Sequence, residues 1–325
     1  MNQKISVIIF TYKRAILLEE VLKSIFLNFK NKTLPIYVIY HYEKNHALSY
    51  NILIKRWKNR GVIFYKRKEL GVGKLFFLCM RRPLNFLWLI RWPDILKKYN
   101  NFKFLLESII RKISTENLTF VTDDQIFYNK TVIPDRATKF LLDSKKDYFY
   151  RYFTGDHFKG YNRLYKNLGI KYYKYKNKLF FFSWSNKGKI NKYSPLWKYR
   201  FTVEGTIYNK HAILELLKPM IYHNPITLEA IGLWEARFRN FFRFGLSSKN
   251  RTAAGYQINS VQNHVIHPNN NFDANLLMKA FLKGYKIYIN QKDFKKNYFN
   301  IVPENIFLYK NYKKLISYKS IKHYL

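Results

Sequence analysis

The sequence contains very little cysteine. Its 325 residues include one, Cys79. A single cysteine excludes an internal disulfide framework and a zinc site built from several thiolates, and it suits a reducing compartment. Hydrophobic residues make up 48% of the chain, which excludes a disordered polymer. We therefore expect a folded cytoplasmic protein whose stability depends on an apolar core.

Long uncharged apolar runs are also missing. The most apolar stretch, residues 75–92, carries Arg81, Arg82 and Pro83 near its middle, whereas a spanning helix needs about 20 nearly uncharged residues. The apolar run at residues 5–10 is shorter than that of a signal peptide. These patterns predict a chain that is soluble or peripheral to a membrane.

Acidic residues are few, with 20 Asp and Glu against 59 Lys and Arg, for a formal net charge of +39. Such a charge attracts polyanions, which include nucleic acid, anionic lipid and phosphorylated substrates. Lys, Asn, Ile, Phe and Tyr all have A/T-rich codons, so codon bias is a second explanation of the lysine content. Both explanations stay open.

The first 130 residues alternate short apolar strands with helical patterns. Strands are predicted at 5–10, 34–40, 62–65 and 118–122, and apolar residues three and four apart predict a helix over 18–29. This alternation predicts an α/β fold with a mostly parallel sheet flanked by helices. Residues 11–14 and Asp123-Asp124 follow predicted strands, and ligands of such sheets bind at that end.

The second half of the chain is less regular. We predict aromatic strands at 148–153, 179–184 and 199–203, a helix over 211–221, and a second helix from 225 or 227 to 242. No internal repeat and no Pro/Ser-rich linker is evident. These features predict one domain over 1–325, with a donor half (about 1–130), an acceptor half (about 131–270) and a basic C-terminal extension (about 271–325).

Several segments resemble family 2 glycosyltransferases, in which a strand ends in Pro-Thr-Tyr-Asn-Arg. Here Ile5-Ser6-Val7-Ile8-Ile9-Phe10 is followed by Thr11-Tyr12-Lys13-Arg14, with Phe10 in place of Pro and Lys13 in place of Asn. Further matches follow in the family's order: Phe120–Phe127, Val203–Tyr208, Asn224–Glu229 and Asn259–Gln262. The resemblance spans about residues 4–265. It implies a GT-A (Rossmann-like) fold and a bacterial cell-surface sugar transferase.

The resemblance implies a divalent cation, Mn²⁺ or Mg²⁺, held by Asp124 with Asp123 as a second ligand. Such a cation neutralises the diphosphate leaving group of a nucleotide-sugar. The family pattern is Asp-x-Asp, and here Thr122 or Gln125 stands where a carboxylate is expected. The alternative is an ordinary acidic turn after a strand.

Nucleotide-sugar binding is assigned to Thr11, Tyr12, Arg14, Lys74 and Asp123. Backbone N–H groups near a helix start and the Arg14 guanidinium suit phosphate or base, and Lys74 follows a Gly-x-Gly segment and suits the diphosphate. A solvated strand-to-helix turn is the alternative for residues 11–14. By resemblance the catalytic base is Glu229, placed in the first turn of its helix, where the dipole favours its charged form. Glu204 is the second candidate.

Two basic, aromatic tracts, residues 80–112 and 310–325, favour attachment to an anionic membrane surface. The alternative for both is a solvated face with core-facing aromatics. The resulting expectation is a metal-dependent, inverting transfer to a cell-surface glycan or lipid-linked acceptor, at the inner face of the cell membrane. The alternative hypotheses are a catalytically silent GT-A protein and a nucleic-acid-binding protein. Because the sequence shows no RRM, KH or helix-turn-helix signature, a nucleic-acid partner is not expected.

Overall fold

The computed structural model describes residues 5–29, 34–70, 73–97, 99–154, 171–175, 178–185, 199–248, 250–258, 272–290, 294, 300–301, 306–310 and 315–321. The chain divides into two compact units, each built from three separate stretches. The first unit comprises Met1–Ile8, Tyr65–Val121 and Ile133–Asn250, and the second comprises Ile9–Phe64, Thr122–Val132 and Arg251–Leu325. The division into donor and acceptor halves stays a prediction.

The described helices are α1 (Ala15–Asn28), α2 (Ala47–Lys58), α3 (Gly73–Arg81), α4 (Leu84–Arg91), α5 (Asp94–Lys97), α6 (Phe102–Lys112), α7 (Asp135–Asp143), α8 (Lys210–Leu217), α9 (Pro225–Phe238), α10 (Ala274–Leu282) and α11 (Tyr318–Ile321). The described strands are β1 (Ile5–Tyr12), β2 (Ile36–His41), β3 (Val62–Lys66), β4 (Asn117–Thr122), β5 (Gln125–Phe127), β6 (Tyr148–Arg151), β7 (Lys171–Tyr175), β8 (Lys178–Ser185), β9 (Thr206–Asn209), β10 (Phe244–Ser248), β11 (Ala253–Tyr256), β12 (Lys286–Tyr288), β13 (Asn300–Ile301), β14 (Phe307–Tyr309) and β15 (Leu315–Ser317). The predicted α/β class, with helices flanking a sheet, is confirmed.

The second unit begins with a strand-helix alternation. Its strands stand in the order β3-β2-β1, and α1 and α2 connect them in sequence. Connections of this kind join parallel neighbours, because a helix is needed to return the chain to the starting edge. Ten of the fourteen residues of α1 are buried, from Ala15 to Ile25, so α1 is a core helix. The start of α1 is therefore buried in the core.

The first unit contains strands in the order β4-β9-β6-β10-β8-β7, and the first four residues of β1, up to Ile8, belong to it as well. Strands β4, β9 and β6 pair antiparallel, β6 and β10 pair parallel, and β10, β8 and β7 pair antiparallel. Leu118 lies opposite Tyr208, and both side chains are buried in the core. The sheet thereby fixes the loop that precedes β9.

The predicted strands and helices occur with shifted ends, and one predicted strand is wrong. Residues 199–203 form no strand, and the strand is instead β9. The Tyr208 hydroxyl accepts from the Thr202 N–H at 2.8 Å and donates to the Thr202 carbonyl at 3.1 Å. These two bonds satisfy the Thr202 backbone without a neighbouring strand.

Two helices are shorter than predicted. The helix predicted from 225 to 242 ends at Phe238, because Asn240 and Phe242 adopt positive φ angles of 56° and 54°. The helix predicted over 211–221 spans Lys210–Leu217, with Asn209 as its N-cap and Pro219 shortly after its end. Proline commonly follows a helix end, because it cannot continue the helix.

The structure shows a short repeat within residues 75–97 that the sequence analysis did not identify. Residues 75–84 and 85–94 share the same exposure class at every position, and residues 95–97 continue the pattern. Backbone hydrogen bonds repeat with the same spacing. Asn85 N donates to Arg82 O at 2.9 Å, as Ile95 N does to Trp92 O at 3.0 Å. We call residues 75–97 the ten-residue repeat.

Candidate functional site

A compact ionic cluster lies where β1 and β4 end, within the second unit. Arg14 is the N-cap of α1, and Asp123 and Asp124 form the turn between β4 and β5. Arg14 Nη1 lies 3.0 Å from Asp123 Oδ1 and 3.2 Å from Asp124 Oδ2. One guanidinium therefore contacts two adjacent carboxylates. We call these three residues the Arg14 cluster.

The backbone around Arg14 is fixed by hydrogen bonds and by one unusual conformation. Lys13 adopts a positive φ of 56°, which lets the chain turn sharply between β1 and α1. The Tyr12 N–H donates to Asp123 Oδ2 at 3.2 Å. The buried Tyr50 hydroxyl bonds the Thr11 hydroxyl at 2.8 Å and accepts from the Arg14 N–H at 3.2 Å. Thr11, Tyr12, Arg14 and Asp123, which the sequence assigns to nucleotide-sugar binding, thus lie together.

The charges of the Arg14 cluster do not balance. Burial raises the pKa of Asp123 to about 6, although Arg14 opposes this shift, and the charge of Asp124 raises it further. Burial works against the charge of Arg14 as well, yet the two carboxylates outweigh it and raise the pKa of Arg14. Both shifts follow from one cation serving two carboxylates in a poorly hydrated place. The cluster consequently attracts further positive charge.

Asp124 is the more accessible of the two carboxylates. Its side chain is 19% exposed, compared with 5% for Asp123. Thr122 Oγ1 donates to Asp124 Oδ1 at 2.6 Å and fixes its rotamer. A carboxylate oxygen has two lone pairs, so Asp124 can accept these bonds and still bind a hard cation. Among the described residues, no group of three His, Cys, Asp or Glu side chains forms a metal site. The residues present fit a cation that obtains its other ligands from phosphate and water.

Aromatic side chains at the ends of β1 and β2 lie beside this cluster. Tyr12 and His41 are stacked, with ring centroids 5.5 Å apart and an interplanar angle of 9°. The Tyr12 hydroxyl donates to Glu43 Oε1 at 3.2 Å, and Lys13 forms an ion pair with the same carboxylate. Both rings are partly exposed. Lys13 Nζ also lies over the Tyr12 ring, 4.9 Å from its centroid. The ring pair offers aromatic surface of the kind that a nucleobase contacts.

A second arginine-carboxylate cluster lies within the first unit and contains both predicted catalytic residues. Arg151 is buried, and its guanidinium donates to the Tyr199 carbonyl at 2.6 Å. Burial lowers the pKa of Arg151 to about 10, opposed by Tyr208 and by the charges of Glu229 and Glu204. We call Arg151, Glu204 and Glu229 the Arg151 cluster.

Glu229 differs from its prediction in one respect. It is the fifth residue of α9, just beyond the first turn, because the helix begins at Pro225 with a capping box between Asn224 and Thr227. Burial raises its pKa, although the Thr202 hydroxyl, the Val203 N–H and Arg151 oppose the shift. The sequence had suggested that the helix dipole favours the charged form of Glu229. In the structure burial has the largest influence on its pKa, and burial favours the neutral form. A raised pKa makes the carboxylate a stronger proton acceptor.

Gly205 sets the shape of the loop that carries Glu204. Its φ is +43°, and a Cβ built on it would lie 2.0 Å from a Phe153 ring carbon. Only glycine fits both conditions. Its N–H donates to the Phe120 carbonyl at 2.9 Å, which attaches the loop to β4. The Glu-Gly pair of the sequence motif thus has a structural reason.

The remaining assignments are less informative. Lys74 is the second residue of α3, in the first unit, and its side chain lies outside the described residues, as does the Asn259–Gln262 segment. Sequence reasoning missed Tyr50, Thr122 as a partner of Asp124, and Arg151. Arg151 had one available signal, since it is a cation at the end of a strand that is otherwise aromatic.

No protein-family model matches the chain, and no curated protein matches its sequence. Solved structures similar to it include S. aureus TarS. TarS 1–349 in complex with UDP-GlcNAc shares 15% identity at a TM-score of 0.41, covering 85% of this chain and 65% of that one. TarS 1–349 in complex with UDP shares 14% identity at a TM-score of 0.41, and the match covers 85% of this chain and 64% of that one. Another TarS structure, at 14% identity and a TM-score of 0.38, is covered over 39% of its length. At these values no residue here takes a role from TarS.

Proposed function

We propose that this protein is a glycosyltransferase that moves a sugar from a nucleotide-sugar to a cell-surface glycan or lipid-linked acceptor. The Arg14 cluster is the observation that carries the proposal. It combines a guanidinium, two carboxylates and backbone N–H groups at the ends of two strands. Ligands of α/β sheets bind at such strand ends. The GT-A resemblance of the sequence motifs points to the same chemistry.

The donor would bind through its nucleotide. The nucleobase stacks on the Tyr12 ring, and the diphosphate lies against Arg14, whose planar fork suits phosphate oxygens. Tyr50 keeps the Arg14 backbone in place through its hydroxyl. Arg14 is shared with Asp123 and Asp124, so the diphosphate competes with two carboxylates for one guanidinium. A cation on the carboxylates removes this competition.

A divalent cation, Mg²⁺ or Mn²⁺, would be held by Asp124, with Asp123 as the second ligand. When bound, it neutralises negative charge on the diphosphate leaving group. Thr122 orients the Asp124 carboxylate for this purpose through the bond to Oδ1. Arg14 remains as a fixed positive charge for the departing phosphate.

The acceptor hydroxyl requires a base, and Glu229 is our candidate, with Glu204 as the second. Burial raises the pKa of Glu229 and makes its carboxylate a stronger proton acceptor. The Thr202 hydroxyl and the Val203 N–H orient it. Direct attack by the acceptor on the anomeric carbon gives inversion, which we propose as the stereochemical course.

The first experiment measures the thermal unfolding midpoint with UDP, GDP, CMP or dTDP, each with Mn²⁺ or with EDTA. A ligand that binds only the folded state raises the midpoint. We expect one nucleotide to raise it, and the rise to require Mn²⁺. No rise with any nucleotide would contradict the proposal, and steeply salt-dependent binding of oligonucleotides would favour the nucleic-acid alternative.

Matched variants then separate binding from chemistry. Asp124→Asn should abolish the Mn²⁺-dependent rise, whereas Asp143→Asn, at an exposed carboxylate in α7, should not. Glu229→Gln should keep the rise and lose hydrolysis and transfer of the matching nucleotide-sugar, with exposed Glu116→Gln as its control. A nucleotide-dependent rise without turnover of any sugar by the unaltered chain would indicate a catalytically silent protein.

A further inference from the structure

The ten-residue repeat exposes an apolar face. In α3 the exposed side chains are Phe76, Phe77 and Met80, and in α4 they are Phe86, Leu87 and Ile90. Ile90 is 78% exposed and Phe76 and Met80 are 62% exposed. We call these six side chains the apolar face. The Phe76 ring of α3 contacts the Phe86 ring of α4, with centroids 6.5 Å apart, so the apolar side chains of the two helices adjoin, and exposed apolar patches mark interaction sites.

The opposite side of the repeat is firmly packed within the first unit. Leu75, Cys79 and Leu89 are buried. Arg82 forms an ion pair with the fully buried Glu235 of α9 at 2.7 Å, and Trp88 packs edge-on against Trp234 at 5.4 Å. The apolar face is therefore held outward by contacts on the inner side.

Within the chain segment that carries the apolar face, every charged residue is positive. From residue 70 to residue 93 the sequence contains no Asp or Glu. Exposed Arg81 and Arg91 occupy the same position in the two repeats, directly after Met80 and Ile90. Arg81 lies over the Phe77 ring at 4.3 Å. Each repeat thus places a cation beside its exposed apolar side chains.

We propose that the apolar face binds the surface of an anionic lipid bilayer, with α3 and α4 lying in the interface plane. Apolar side chains then enter the boundary between headgroups and acyl chains, while Arg81 and Arg91 pair with lipid phosphates. None of the described helices is long and apolar enough to cross a membrane. The repeat gives the surface two equivalent sets of contacts.

The charge favours a bilayer over a second copy of the chain. A self-association through this face would bring the arginines of two copies together, in a protein with a formal charge of +39. Like charges at an interface oppose association. Anionic lipid, by contrast, supplies the opposite charge over the whole face. The inference depends on these contacts and charges and does not require the proposed transferase activity.

The test is flotation of the full chain with vesicles of phosphatidylcholine, with and without about 30% phosphatidylglycerol. We expect binding to the anionic vesicles that weakens as salt increases. Replacement of Leu87 and Ile90 by Ser should reduce this binding about tenfold or more, because two large apolar contacts are lost. The matched control replaces Leu27 and Leu48, which are 79% and 58% exposed in the second unit.

A second pair of variants tests the charge. Arg81→Gln with Arg91→Gln should weaken binding to anionic vesicles severalfold, whereas Lys55→Gln with Lys58→Gln, at exposed positions in α2, should have a much smaller effect. Thermal midpoints confirm that each variant is folded. The proposal fails if the repeat variants float like the unaltered chain, if the controls lose binding equally, or if the Leu87/Ile90 variant abolishes self-association of a chain that binds no vesicles.

Discussion

The two arginine-carboxylate clusters have the same composition and opposite electrostatics. Each combines one buried arginine with two carboxylates, but the pKa of Arg14 is raised and that of Arg151 is lowered to about 10. Burial is the largest influence on both. Arg14 contacts its carboxylates at 3.0 and 3.2 Å, and their combined charge prevails.

The hydrogen bonds of the Arg151 guanidinium include one to the Tyr199 carbonyl at 2.6 Å and one to the Thr206 hydroxyl at 3.4 Å. The charges of Glu229 and Glu204 favour the charged guanidinium, but burial lowers its pKa by more than they raise it. The balance between burial and carboxylate charge, and not the number of carboxylates, therefore distinguishes the two clusters.

The largest effect is expected from removing the Arg14 charge. Arg14→Gln leaves two carboxylates buried without a counter-ion, and we expect a loss of about 3–5 kcal/mol in the free energy of unfolding. Arg151→Gln should cost less, because at Arg151 burial outweighs the favourable charge of its carboxylates, whereas at Arg14 the carboxylates outweigh burial. Urea unfolding of both variants checks this order. Equal losses would show that the two clusters do not differ as described.

The second-largest loss of stability is expected in the loop that carries Glu204. Gly205→Ala places a Cβ against Phe153 at a positive φ, and the strain and overlap together should cost about 2–4 kcal/mol. Gly61→Ala is the control, since Gly61 has a φ of +81° and no atom near its Cβ position. It should cost about 1 kcal/mol, from backbone strain alone. Urea unfolding of the two variants compares them directly.

The pH dependence of stability should reveal the excess negative charge of the Arg14 cluster. The pKa of Asp123 rises from 3.8 to about 6 on folding, so the folded state binds its proton more tightly than the unfolded state does. The protonated Asp123 carboxyl therefore contributes fully to the free energy of unfolding below pH 4, and this contribution is lost as pH rises through 6.

Relative to Asp123→Asn, the unaltered chain should lose roughly 1–3 kcal/mol between pH 4 and pH 7. Unfolding free energies at several pH values measure this difference. A difference that stays constant across the range would contradict the raised pKa.

The smallest effect tests a single hydrogen bond. Thr122→Val removes the hydroxyl that donates to Asp124 at 2.6 Å and should cost about 1 kcal/mol. Thr138→Val removes a 3.4 Å bond to a neutral carbonyl in α7 and should cost less. Thermal unfolding of the pair gives the comparison, and a larger loss at Thr138 would contradict it.

The first half of the fold was predictable because its signals are local. Apolar β-branched runs and a three-to-four spacing identify β1, α1 and β4, and strand ends then indicate Asp123 and Asp124. The Arg14 contact was not predictable, since it joins residues 109 positions apart. Arg14 was assigned to phosphate, and the structure shows it bound to the carboxylates.

Sequence analysis did not identify the ten-residue repeat, because its corresponding positions match in exposure more than in residue type. Corresponding positions need only match in exposure, so Leu75 is replaced by Asn85 and Cys79 by Leu89, and three of ten residues are identical: Phe76/Phe86, Arg81/Arg91 and Pro83/Pro93. Asn85 is buried because its amide donates to the carbonyls of Leu78 and Pro219. Leu75, at the corresponding position of α3, is apolar and needs no such bond.

The strand predicted over residues 199–203 was wrong for a related reason. These residues resemble a strand in composition, but the Tyr208 hydroxyl satisfies the Thr202 backbone.

The position of Cys79 gives the repeat a built-in kinetic reporter. The thiol is fully buried on the inner side of α3, and burial raises its pKa, so a thiol reagent reacts only when this helix transiently detaches. As the chain has no other cysteine, the labelling rate of the unaltered protein measures one local opening equilibrium without any engineered probe. The same rate, followed with vesicles present, reports how strongly a bound surface holds α3 closed.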